Sequence, residues 1–310
     1  MRKKIVFSLM MACAGFCYSQ AGHLFFKGFG RLMETSLGEE LYTSHKLVSD
    51  LQWKSGSLAL CGGAIGYERD GWFIEGSFCF GKGTGKGQMI DSDFLSDGTN
   101  DRISFHPVET SQVQNASLKF SMTSLELGRL KILTQIEADY KHSCHTASNG
   151  WGWYSKGSGP WYGPESTYYQ KSRLYDIDYE KYSFELFTGF GVSYDATSRF
   201  ILGASALVCP YSYYYCLDTH HSKNYNTVYN SIQKDSMSQF KFGINAVYKI
   251  TDNTEVYFDI ARTCGFEKSG VEKLESESGK FMKIISSKSG TTDDMFCGTM
   301  GIKFKIRDRQ

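Results

Sequence analysis

Phe240-Lys241-Phe242-Gly243-Ile244-Asn245-Ala246-Val247-Tyr248-Lys249-Ile250 alternates apolar and polar side chains almost without a break. Successive side chains of a strand point to opposite faces. Phe240, Phe242, Ile244, Ala246, Tyr248 and Ile250 therefore share one side, and Lys241, Gly243, Asn245 and Lys249 the other. Two further stretches repeat the pattern. Ala116, Leu118, Phe120 and Met122 alternate with Asn115, Ser117, Lys119 and Ser121. Phe296, Met300, Ile302, Phe304 and Ile306 alternate with Thr299, Lys303 and Lys305. The polar sides are rich in Lys, Asn and Ser. A soluble β-sandwich would hide the apolar face. A membrane barrel would turn it to lipid and keep the polar face in its lumen. Alternation alone does not separate the two.

The connections do. Strands read near 23–36, 41–68, 71–83, 111–127, 130–147, 174–194, 198–216, 232–250, 254–266 and 289–306, the second one bent or interrupted. After a short first connection at 37–40, tight turns alternate with long stretches. The turns fall at Arg69-Asp70, Gly128-Arg129, Asp195-Ala196-Thr197 and Thr251-Asp252-Asn253, the long stretches at 84–110, 148–173, 217–231 and 267–288. In an antiparallel meander this sorts the long loops to one end. Outer-membrane barrels have that asymmetry and an even strand count, and closure removes exposed edges. The expected fold is all-β: a ten-stranded antiparallel up-and-down transmembrane β-barrel with long extracellular loops. The stretch from Trp151-Gly152-Trp153-Tyr154 to Pro160-Trp161-Tyr162 reads as a binding loop or as interface aromatics.

Composition agrees with this fold. The chain has 310 residues with 34 Lys+Arg against 33 Asp+Glu, so no basic excess points to nucleic acid. Gly is abundant (32) and Pro rare (4), a balance that suits strands. Residues 1–21 read as a secretory signal: Arg2, Lys3 and Lys4, an apolar run from Ile5 to Phe16, then small Ser19 and Ala21. Met10-Met11-Ala12-Cys13 is a loose lipoprotein alternative. Residues 22–310 are then one barrel domain. Of nine cysteines, Cys13 and Cys17 leave with the signal. The remaining seven lack CxxC spacing and are odd in number, so neither a disulfide framework nor a zinc motif is indicated.

Two short polar motifs fall in the long connections, Asp91-Ser92-Asp93 and Asp218-Thr219-His220. If the barrel is real, both sit at one rim. Residues two apart in an extended segment share a side. Asp91 and Asp93 would then press one carboxyl towards holding its proton. Asp218 beside His220 would fix the imidazole and raise its basicity. Together these groups can orient and deprotonate a water. Calcium at Asp91, Asp93 and Asp97 is a rival reading. Zinc at His220 and His221 is disfavoured, since adjacent residues of a strand face opposite ways.

Taken together, the motifs resemble a known family. Met89-Ile90-Asp91-Ser92-Asp93-Phe94 is similar to the Met-Val-Asp-x-Asp-Trp segment of the omptins, which are outer-membrane endopeptidases. Asp218-Thr219-His220 resembles their Asp-Glu-His. Ser49-Asp50-Leu51-Gln52-Trp53-Lys54 and His106-Pro107 match further landmarks in the same order, and the ten-strand layout matches too. The resemblance implies a metal-free peptide hydrolase at the extracellular rim. His220 would be the general base, Asp218 its orienter, and Asp91 and Asp93 the opposite side of the water. Glu39 and Cys216 fall on the positions of two acidic groups deep in the family's groove. Cys216 is not acidic, which puts a preference for basic residues in doubt. The resemblance also implies lipopolysaccharide or another outer-membrane lipid on the outer wall, with Asp139, Lys141 and Lys234 as matching charges and Glu137 and Tyr182 as departures. Expected partners are peptides or proteins outside the cell, with no nucleic acid, and the protein is expected to act as a monomer. A non-catalytic barrel, either adhesin or narrow pore, and a soluble sandwich binding calcium or glycans are the alternatives.

Overall fold

The computed structural model describes residues 22–43, 45–95, 97–155, 167–170, 176–221, 226–237, 239–276, 281–283 and 288–307. Residues 1–21, expected to be a secretory signal, and the aromatic stretch after Ser155 lie outside them. Every element is a strand: β1 (His23–Thr43), β2 (Lys46–Lys54), β3 (Leu58–Arg69), β4 (Trp72–Gly83), β5 (Gly87–Phe94), β6 (Asn100–Leu127), β7 (Leu130–Ala147), β8 (Trp151–Ser155), β9 (Thr167–Gln170), β10 (Ile177–Asp195), β11 (Phe200–His221), β12 (Asn226–Asp235), β13 (Gln239–Thr251), β14 (Thr254–Gly265), β15 (Lys268–Ser276), β16 (Phe281–Lys283) and β17 (Lys288–Arg307).

Ten of these close a ring in the order β1, β3, β4, β6, β7, β10, β11, β13, β14, β17 and back to β1, each pair antiparallel. The closing seam runs from His23 opposite Arg307 to Leu41 opposite Ser289. One end is made of tight turns. Gly71 and Gly128 sit there with φ of 83° and 62°, a left-handed backbone that only glycine adopts without strain.

The faces decide between barrel and sandwich. Phe242, Ile244, Tyr248, Ile250, Phe296, Met300, Ile302, Phe304 and Ile306 are all exposed, Met300 to 63%. These residues belong to a wide apolar belt on the outside of the ring. The polar face is the buried one. Lys241 Nζ lies 2.7 Å from Glu137 Oε1 and 2.9 Å from Asp139 Oδ2. Lys141 pairs with Glu185 at 2.7 Å, Lys181 with Asp293 at 3.1 Å, and Lys305 with Glu68 at 2.8 Å and Glu255 at 2.7 Å. An apolar outside around a salt-bridged inside is the arrangement of a membrane barrel.

The long connections differ from the sequence expectation. In their described parts the ladder continues above the belt. β5 and the first third of β6 form a hairpin within 84–110, and β2 pairs with both β1 and β5. β11 runs on to His221, and β12 pairs back on it within the predicted connection 217–231. The predicted strand 41–68 is two strands, because the chain breaks at Ser55-Gly56-Ser57. There Gly56 has φ of 66°, and the Thr35 amide donates to Ser55 Oγ at 3.0 Å. The predicted strand 232–250 likewise divides into the end of β12 and β13.

Beneath this upper storey the lumen is closed by packed side chains. Leu37, Leu51, Trp53, Met89, Val108, Ala147, Ile177, Tyr179, Tyr214 and Cys216 form one buried cluster. The Trp53 and Tyr179 rings stack at 5.1 Å. This plug fixes the strands whose next inward residues are the two polar motifs.

Candidate active site

Alternation carries each motif from the plug to the rim. On β5, Met89 is in the plug, and Asp91 and Asp93 follow on the same face. On β11, Tyr214 and Cys216 are in the plug, and Asp218 and His220 follow. Both motifs therefore point inward at the end opposite the Gly71 and Gly128 turns.

Asp218 is buried, and its Oδ2 accepts a hydrogen bond from His220 Nε2 at 2.9 Å. The ring is about a third exposed (34%), so water reaches it. With Nε2 carrying the shared proton, Nδ1 is left with a lone pair. Tyr229 packs its ring edge-on to the imidazole at 5.1 Å. Burial alone would lower the His220 pKa. The Asp218 charge and hydrogen bond, then the charges of Asp91 and Asp93, outweigh it and leave His220 above its usual 6.5. Asp91 is pushed up to about 7, first by burial and then by the Asp93 charge, with His220 and Arg102 pulling the other way. The two motifs thus feel each other's charge, as residues on one rim must.

Two residues not singled out for chemistry join the site. Arg102 Nε lies 2.8 Å from Asp93 Oδ2. It is the cross-strand partner of Asp93, one residue beyond what counting outward from the turn at 95–99 gives, because the register shifts between Asp93 and Phe94. His106, a sequence landmark only, is buried, with Nε2 3.1 Å from Ser104 Oγ. Burial and then the positive charge of His220 push it down to about 4, so it is neutral at physiological pH.

Asp97 and His221, named in the rival metal readings, are engaged elsewhere. Asp97 Oδ1 accepts from the Thr99 amide at 2.9 Å and so caps its own turn. His221 faces away from His220 and pairs with Asp178 at 2.7 Å.

Glu39 and Cys216 come together under the dyad. Ser231, the cross-strand partner of Cys216, donates from Oγ to Glu39 Oε1 at 3.3 Å. Lys181 is the partner of Cys216 on the other side. Where the resemblance led to an expectation of carboxylates at both positions, Glu39 supplies one and Cys216 a thiol, beside Lys181, which is already paired with buried Asp293.

The outer-wall assignment needs correction. Asp139 and Lys141 do not reach the wall: both point into the lumen, paired with Lys241 and Glu185. Glu137 points inward too. The residues that β7 turns outward are Tyr140, His142 and Cys144. Lys234 is on the outside, its ammonium 5.6 Å from the centre of the Tyr213 ring.

Comparison with known proteins bears on the family and the fold. The omptin family model matches residues 28–306. No curated protein matches the sequence. Among solved structures, the outer membrane protease OmpT from Escherichia coli superposes with a TM-score of 0.79 at 19% identity, covering 93% of this chain and 99% of that one. The outer membrane protein OprG from Pseudomonas aeruginosa covers 93% of this chain and 97% of its own at 8% identity, but with a TM-score of only 0.35. With a family match over nearly the whole described barrel and a closed ring of ten strands under it, the chain belongs to the omptin family.

Proposed function

We propose that this protein is an outer-membrane endopeptidase whose active site opens outside the cell. The observation that carries the reading is the Asp218–His220 hydrogen bond at the same rim as Asp91 and Asp93. Family membership and the likeness to an outer membrane protease support the reaction class and the location.

His220 Nδ1 takes a proton from a water held between the two pairs, and the water oxygen attacks the scissile carbonyl. Asp218 holds the ring and stabilises the imidazolium that forms. Asp91, near neutrality, donates a hydrogen bond to the developing oxyanion, and Asp93 is held in place by Arg102. His220 then returns the proton to the leaving amine. No acyl-enzyme and no metal take part. Glu39 favours a basic side chain in the pocket, while Cys216 and the neighbouring Lys181 weaken that preference. An outer-membrane lipid meets the barrel at Lys234, and the protein acts as a monomer on extracellular peptides or proteins. The pore alternative has little support, since the plug and the lumen ion pairs fill the barrel.

The test is cleavage of a peptide library by refolded protein. His220→Ala and Asp91→Asn should lower the rate by roughly 10²–10⁴-fold while keeping heat-modifiable gel mobility. Equal cleavage by wild type and variants would remove this mechanism, and full loss with EDTA would point to a metal instead.

A further inference from the structure

The outer wall of β7 and β10 carries ionisable side chains where its neighbours are apolar. His142 and Tyr182 are cross-strand partners, as are Cys144 and Glu180 one step along the same face. Alternation turns all four outward, beside exposed Tyr140, Phe184 and Tyr211. One imidazole nitrogen faces two other donors: His142 Nε2 lies 2.8 Å from Glu180 Oε1 and 3.5 Å from Cys144 Sγ. All three atoms lie within 4.8 Å of one another, and no other His, Cys, Asp and Glu trio does so among the described residues. The Tyr182 ring stacks on His142 at 4.3 Å, and its hydroxyl donates to Glu180.

We propose that His142, Cys144 and Glu180 form a binding site for a zinc-class divalent cation on the outer wall of the barrel.

The donor set fits that class. A thiolate, an imidazole and a carboxylate suit zinc, whereas magnesium and calcium take oxygen. The spacing fits as well. With Zn–S near 2.3 Å and Zn–N and Zn–O near 2.0–2.1 Å, tetrahedral donors stand roughly 3.3–3.6 Å apart. The S···N separation is already there. The N···O contact must open by about half an ångström, a small rotation of the Glu180 side chain. Two hydrogen-bonded strands hold the ligands at fixed separation, so little ordering remains to be done on binding. Tyr182 Oη or a water completes the shell.

Binding involves no redox change. The Cys144 thiol releases its proton to solvent, and His142 moves its Nε2 proton through solvent to become the Nδ1–H tautomer, which frees the Nε2 lone pair and Glu180 for the metal, so affinity falls with acidity. The site lies on the back of the strand whose inner face carries Tyr179, the partner of Asp218. It clips β7 to β10 and takes no part in hydrolysis, and it does not depend on the proposed function.

The test uses the refolded full chain in detergent, stripped with EDTA and titrated with Co²⁺ as a spectroscopic probe. A cobalt–thiolate charge-transfer band should saturate at one Co²⁺ per chain and be displaced by Zn²⁺. It should persist in Cys61→Ser and vanish in Cys144→Ser and His142→Ala, each checked for folding by gel mobility. In wild type, Zn²⁺ should slow alkylation of Cys144 by about tenfold or more, because a bound thiolate no longer attacks freely, and leave Cys61 unchanged. This second readout needs no variant to fold. Absence of the band, its survival in Cys144→Ser, or unprotected Cys144 would overturn the proposal.

Discussion

Arg102 Nε and Asp93 Oδ2 face each other at 2.8 Å across the β5–β6 hairpin, with the arginine side chain 47% exposed. Solvent screens such a pair, and exposed ion pairs contribute at most about 1 kcal/mol. Arg102→Gln should therefore lower kcat/KM by up to about fivefold, and less at high salt. A hundredfold loss would mean that Arg102 touches the substrate itself.

His220 should titrate above 6.5 in the resting enzyme. As general base it must be neutral, while Asp91, pushed up to about 7, must keep its proton, so kcat/KM should rise with pH through the raised His220 value and fall again as Asp91 ionises. Asp218→Asn removes the largest upward influence and leaves burial in charge, so the midpoint should drop. NMR of ring-labelled histidine reads this even in an inactive variant. An unchanged midpoint would show that Asp218 does not set the base.

Cys216→Asp restores a second carboxylate beside Glu39. Cleavage after Arg or Lys, relative to uncharged residues, should increase by about tenfold, roughly 1.4 kcal/mol, a modest value for a charge-assisted contact. Competition between peptides differing at that one residue measures it. No change would place the specificity pocket elsewhere.

Lys241→Met should destabilise the barrel by about 3–5 kcal/mol, because it leaves Glu137 and Asp139 buried without their cation. Urea unfolding from lipid vesicles reports the loss. Adding Glu137→Gln should recover part of it, and an unaltered midpoint would mean that water reaches the lumen freely.

How much of this was legible in the sequence follows from periodicity. The face of Phe242 against Lys241 was readable because a period of two survives wherever one side meets lipid. Above the belt both faces meet water or polar groups. Asp91-Ser92-Asp93 and Asp218-Thr219-His220 therefore read as loops although they are strand. The outer-wall error has the same root. A one-residue offset on β7 exchanges Asp139 and Lys141 for Tyr140 and His142, and in a strand that exchanges inside for outside. The motifs themselves were legible because their spacing of two keeps both members of each pair on one face. The trio His142, Cys144 and Glu180 was not, because its ligands come from two strands and no local spacing records them.

The stacked Trp53 and Tyr179, with the ion pairs below them, have a meaning for the cell as well as for the fold. A barrel without a stopper is a hole, and each copy inserted would leak ions and admit toxic solutes. With the proposed active site above it, this stopper lets the barrel add catalytic surface while leaving the permeability barrier intact. Its abundance can rise with demand for cleavage, since the envelope does not become more porous as copies accumulate.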